Sequence, residues 1–150
     1  MTNTAAPVTV PLDWPDYDIG LVAAVKRGFQ KFATFSGRAS RREFWWWTLG
    51  IALVTAVLYV PLLILVLNNP DDPTSGSAGP VVFILAALLF VFLIATIIPS
   101  LAITVRRLHD AGFSGWYFFL HFIPLIGSLI VVALCFQATS PQAARFGPPA

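Results

Sequence analysis

Three long apolar runs dominate the pattern of hydrophobic and polar positions: Trp45 to Leu67, Val81 to Val105, and Trp116 to Phe136. None contains Lys, Arg, Asp or Glu, and each has the roughly 20 residues a helix needs to cross a bilayer core. They are apolar on every side rather than alternating with period two, which argues against a porin-like barrel. A bilayer offers no water to backbone amides, so each run predicts a helix. The expected fold is all-α and integral to the membrane, with three transmembrane helices in one domain over residues 44–136.

Outside the runs the pattern changes. Residues 1–16 are rich in Thr, Pro and Ala and read as a flexible lead-in. Within 17–43, Val22, Val25, Phe29 and Phe32 recur at three- and four-residue spacing, with Lys26, Arg27, Gln30 and Lys31 on other faces. This predicts a basic amphipathic helix lying along the inner leaflet, held there by anionic lipid, with a helix packed on a partner protein as the alternative. The stretch from Asn68 to Pro80 is built of turn-formers and reads as a plain connector. Residues 137–150 read as an irregular tail.

The cations give an orientation. Lys26, Arg27, Lys31, Arg38, Arg41 and Arg42 precede the first run, Arg106 and Arg107 lie between the second and third, and the 68–80 loop has none. Cations are retained in the cytoplasm, which places the N-terminus and the second loop inside. With three crossings, the tail with Arg145 is expected outside. No short apolar run with a cleavage pattern precedes Trp45, so the first run is expected to be an uncleaved signal anchor.

Two motifs border the runs. In Phe35-Ser36-Gly37-Arg38-Ala39-Ser40-Arg41-Arg42-Glu43-Phe44-Trp45-Trp46-Trp47, Ser40 and Glu43 have the spacing of a capping box. Gly37 permits a sharp turn. Trp45, Trp46 and Trp47 read as interfacial anchors at headgroup depth, and Arg38, Arg41 and Arg42 as phosphate contacts. The second motif is Arg106-Arg107-Leu108-His109-Asp110-Ala111-Gly112-Phe113-Ser114-Gly115-Trp116. Arg106 and Arg107 suit a helix C-terminus, and Trp116 is a fourth anchor. A carboxylate beside an imidazole could orient it for proton transfer, whereas Asp110 could equally cap a helix or pair with an arginine.

Each run holds one proline: Pro61, Pro99 and Pro124. The last two fall at similar depth below the arginines. With the polar stripe Thr96, Ser100 and Thr104 and the small stripe Thr48, Ala52 and Ala56, they suggest a bent, weakly polar cleft, weighed against ordinary kinked packing. His121 is an intramembrane ionisable group with either a neutral packing role or a functional one.

Composition sharpens this picture. The chain is 57% hydrophobic and 11% charged, against about a quarter charged in soluble domains. That excludes a soluble monomer and a disordered chain, and the lone Cys135 excludes a disulfide scaffold. Ten of the sixteen charges lie in Lys26–Glu43 and Arg106–Asp110. The sequence pI near 9.0 does not imply nucleic acid, because the cations border apolar runs. There is no Cys/His metal set, Gly-rich phosphate loop or spaced nucleophile–base pair, so no metal, cofactor or catalytic residue is expected.

The two motifs, followed by Ile123-Pro124-Leu125-Ile126-Gly127, resemble the small bacterial inner-membrane family catalogued as domain of unknown function 805. The similarity runs from about Phe29 to the C-terminus. The family pattern ends in an Asn-x-Tyr-Gly-Pro-like segment; here Ala144-Arg145-Phe146-Gly147-Pro148 keeps the aromatic-Gly-Pro part and lacks the Asn. The resemblance implies a bacterial cytoplasmic-membrane protein and brings no established activity.

The function expected is a non-enzymatic module whose cytoplasmic arginine-rich turns, with His109 and Asp110, engage anionic lipid headgroups or a partner protein. The alternatives are a subunit of an oligomeric transporter or channel and, behind it, a lipid-modifying enzyme.

Overall fold

The computed structural model describes residues 10–147 apart from 13, 70, 71 and 75. Four α-helices follow one another: α1 (Leu21–Gln30), α2 (Arg41–Asn68), α3 (Gly79–Asp110) and α4 (Ile126–Phe136). Short 3-10 segments cover Gly76–Ala78, Gly115–Phe122 and Pro141–Phe146, and there is no strand among the described residues.

α2 and α3 form an antiparallel pair, with Trp47 near the start of α2 donating to Ser100 late in α3. At 28 and 32 residues each is longer than the hydrocarbon thickness requires. Both run unbroken through their prolines, Pro61 and Pro99. Their outer faces are apolar and uncovered: Val57, Phe83 and Phe90 are among many large side chains left exposed. In water that surface would be prohibitive; in hydrocarbon it costs nothing.

The third apolar run departs from the expected single helix. Gly115–Phe122 is a 3-10 segment, Ile123 is extended before Pro124 as a residue preceding proline tends to be, and α4 starts only at Ile126. Between them Leu125 adopts φ 62 and ψ −62, and the Ile126 amide donates to the Pro124 carbonyl at 2.7 Å. This is a γ-turn with positive central φ, a tight and strained reversal. Gly127 lets the two limbs meet, since a Cβ there would lie 1.7 Å from the Leu120 carbonyl oxygen. The run is therefore a hairpin. Its limbs, of 8 and 11 residues, each extend about 16 Å, roughly half a bilayer core.

The hairpin returns the chain to where it left. The Ser140 amide donates to the Asp110 carbonyl at 3.0 Å, and Arg145 donates to the carbonyl of Gly112 at 3.0 Å. The expectation of Arg145 on the opposite face is thereby corrected. The tail is also more ordered than an irregular one: Ser140 caps the 3-10 turn Pro141–Phe146 through the Gln142 amide. Residues 148–150 lie outside the described residues, as do 1–9.

The buried core sits at this same end of the α2–α3 pair. Phe44, Trp47, Ile103, Leu108, Val131 and Cys135 pack together there. α1 packs across α2 through two glycines: Gly28 lies against the Trp47 ring and Gly50 against Val25. Val22 and Phe29 on α1, and Phe32 just beyond it, are exposed.

Candidate functional site

Eight of the nine Lys and Arg residues lie in Lys26–Glu43 and Arg106–Asp110, where Glu43 and Asp110 are the only carboxylates. Each carboxylate becomes the centre of a buried network. Ser40 caps α2 by accepting from the Glu43 amide at 3.1 Å, which is half of the predicted capping box. The other half is replaced. The Glu43 carboxylate turns instead to Arg106 at 3.4 Å and Arg27 at 3.7 Å, with Glu43 and Arg106 fully buried.

Arg27 holds the segment ahead of α1. Its guanidinium donates to the carbonyls of Val10 and Pro11 at 3.2 and 2.7 Å, and to that of Trp14. Ser40 donates to the carbonyl of Asp16. The described part of the expected flexible lead-in is thus a strap pinned over the network. Its burial of Arg27 also removes that cation from the lipid-facing set.

Asp110 centres the second network. It pairs with Arg107, accepts from Tyr17 at 3.0 Å and accepts from Thr139 at 2.8 Å. Arg107 also donates to the carbonyl of Cys135 at 3.0 Å and to that of Gln137. Strap, α3, α4 and tail therefore converge on one ion pair. Burial raises the Tyr17 phenol above its ordinary value of 10.0; the hydrogen bond with Thr139 opposes this and the Asp110 charge adds to it.

Several sequence expectations change here. Arg38, Arg106, Arg107 and Asp110 are buried, not presented to headgroups, because each pairs or packs within the protein end of the bundle. Trp47 is no interfacial anchor: it is 2% exposed, bonded to Ser100 at 3.1 Å and edge-on to Phe29 at 5.2 Å. His109 and Asp110 form no dyad. The His109 Nδ1 faces the Gly37 carbonyl at 3.2 Å, and its ring stacks on Phe146 at 4.1 Å. Thr48, Ala52 and Ala56 are exposed. A small cleft of about 180 Å³ is lined by Phe44, Trp47, Thr48, Ile51, Ser100, Ile103 and Thr104, and includes neither Pro99 nor Pro124. His121 is exposed, with its Nδ1 at 3.2 Å from the Phe118 carbonyl.

What stays outside is a short list. Lys26, Arg41, Arg42 and Arg145 are exposed, as are Trp46 and Trp116, while Trp45 is half-buried against Phe136 at 4.5 Å. Arg41 and Arg42 flank an open groove of about 710 Å³ whose other walls are Ile19, Gly20, Trp45, Trp46 and Leu49. A second cavity of about 480 Å³ is lined mainly by Phe118, Phe119, Phe122 and Trp116, with His109 and Ser114. Among the described residues no three His, Cys, Asp or Glu side chains are grouped to hold a metal.

Tyr17, Gln137 and Thr139 were not singled out from sequence, and Arg27 was read only as a surface cation. The available signal was the scarcity of carboxylates: two acids among eight cations must each serve several partners.

Two long apolar helices with uncovered outer faces, closed at one end by buried ion pairs, define a helical integral membrane protein. The chain belongs to the family described as Protein of unknown function (DUF805), which matches residues 32–148. It is similar to the inner membrane protein YhaI of Escherichia coli (strain K12), 38% identical over 112 residues, covering 74% of this chain and 81% of that protein. It is also similar to the inner membrane protein YhaH of the same organism, 34% identical over 119 residues, covering 79% and 88%. No solved structure matches. The chain is thus a bacterial inner-membrane protein.

Proposed function

We propose that this protein is a non-enzymatic membrane module whose cytoplasmic face engages anionic lipid headgroups. The observation that carries the reading is the sorting of its cations. Arg27, Arg106 and Arg107 are consumed by internal carboxylates and carbonyls, whereas Lys26, Arg41, Arg42 and Arg145 are left exposed. Cations beside a membrane attract anionic lipid at about 1 kcal/mol each.

The same reading sets the topology. α2 and α3 cross the bilayer, the hairpin 115–136 enters and leaves on one side, and both termini are cytoplasmic. All nine Lys and Arg residues then lie on the inner side, which the positive-inside rule favours over a third crossing that would export Arg145. Single cysteines at Thr74 and Gln142, in a Cys135→Ala background, test it with a membrane-impermeant maleimide. Thr74→Cys is expected to label from the periplasm and Gln142→Cys only after lysis. Periplasmic labelling at position 142 overturns the two-crossing arrangement.

For the function, the purified protein is placed in nanodiscs of phosphatidylcholine with or without phosphatidylglycerol, and retained lipid is measured by native mass spectrometry. Enrichment of the anionic lipid, lost on Arg41→Glu/Arg42→Glu, is expected. Equal retention of both lipids sinks the reading, and a co-purifying acidic protein in place of lipid redirects it to a partner.

A further inference from the structure

We infer that the groove between the strap and α2 is a binding site for one anionic phospholipid, with Asp18 acting as an internal stand-in for its phosphate. This rests on the lipid reading above and names its site. The groove joins two chemistries in the order a phospholipid needs. Arg41 and Arg42 stand at its polar end, and Trp45, Trp46, Leu49 and Ile19 continue as an apolar wall along α2. Guanidinium forks match phosphate oxygens in a bidentate way, and the wall accepts the start of an acyl chain.

The groove is partly neutralised from within. Asp18 Oδ1 lies 2.9 Å from Arg42 Nη1, and both side chains are largely exposed, at 96% and 61%. An exposed pair of this kind is weak and readily exchanged. The strap does not depend on it, because Arg27 gathers the carbonyls of Val10, Pro11 and Trp14, and Tyr17 is tied to Asp110. Asp18 can therefore yield Arg42 to a headgroup while Ile19 stays in place as a wall.

The test measures energy transfer from tryptophan to dansyl-labelled phosphatidylglycerol in phosphatidylcholine nanodiscs holding the full chain. Asp18→Asn is expected to tighten binding about two- to fivefold, the range of one exposed ion pair. Arg41→Gln/Arg42→Gln should weaken it at least tenfold, as the loss of two charge-assisted contacts implies. Leu49→Ala should weaken it without altering its salt dependence. Inorganic phosphate should compete poorly, because it lacks the apolar part. Full competition by phosphate alone would overturn the lipid assignment in favour of a soluble anion site. An Asp18→Asn variant that binds no better overturns the stand-in role. Anionic preference that survives Arg41→Gln/Arg42→Gln but is lost on Lys26→Gln/Arg145→Gln refutes the groove and leaves the broader reading intact. No anionic preference in the wild type removes both.

Discussion

Glu43 offers the sharpest test of the buried network. Its carboxylate is fully buried, 3.4 Å from Arg106 and 3.7 Å from Arg27, whose side chains are 0% and 8% exposed. At an effective dielectric near 20, each contact carries a gross attraction of about 4–5 kcal/mol, most of it offset by desolvation. Glu43→Gln preserves shape but leaves two buried guanidiniums facing a neutral amide. Breaking a buried pair in this way costs about 3–5 kcal/mol. Loss of the acid from the first turn of α2 adds about 0.3–1 kcal/mol.

A second variant separates charge burial from packing. In Glu43→Leu/Arg106→Met both desolvated charges are gone, and Arg27 keeps its carbonyl acceptors in the strap. Apolar replacement of a buried pair is often neutral, so the double variant should be more stable than Glu43→Gln. The assay is reversible unfolding in mixed micelles, followed by far-ultraviolet circular dichroism. Asp18→Asn serves as the exposed comparison and should change stability by less than about 1 kcal/mol. If Glu43→Gln stays within about 1 kcal/mol of wild type, or the double variant is no better than the single, the network does not hold the face together.

Three further outcomes are expected. Gly50→Ala places a Cβ 2.4 Å from Val25 Cγ2, so it should cost about 1–3 kcal/mol by overpacking, and unfolding curves should show rescue by Val25→Ala. Gly127→Ala should disrupt the hairpin, since its Cβ meets the Leu120 carbonyl at 1.7 Å, whereas Leu125→Gly should stabilise by about 1 kcal/mol where φ is 62; unfolding curves in mixed micelles read both. Because the fold raises the Tyr17 phenol, its contribution is complete below pH 10.0 and is lost as pH climbs from there through the raised value; hydrogen exchange of the strap should loosen over that window in wild type, and a Tyr17→Phe variant should lack that step.

Much of the fold is legible in the chain because long charge-free runs and capped helix starts are local signals. α2 and α3 follow from length and composition, and Ser40 announces the start of α2. The third run misleads for a physical reason. Its composition matches a spanning helix, and Pro61 and Pro99 sit inside helices that continue, so Pro124 reads as another kink. What turns it into a reversal is the combination of extended Ile123, a γ-turn at Leu125 and a glycine at 127 that admits the opposing limb. Only the last two residues' neighbours in space make that visible. The site is legible by location and misread by role: the arginines gather at one end of the helix pair, but most are buried by acids and carbonyls that lie 3 to 63 residues away along the chain.

The hairpin and the buried arginines explain one another. A third crossing would carry Cys135, Gln137 and Thr139 to the far side and strip Arg107 of two carbonyls and Asp110 of one hydroxyl donor. Arg107 would then be a buried cation short of acceptors, a costly arrangement. By turning back at Leu125, the chain returns Cys135, Gln137 and Thr139 to the end of α3, and the strap completes the set through Tyr17. With those charges satisfied internally, the face is fixed in shape before any ligand arrives. Arg41 and Arg42 stand on that fixed face at the head of an apolar groove, where a preformed site loses less entropy on binding than two mobile arginines would.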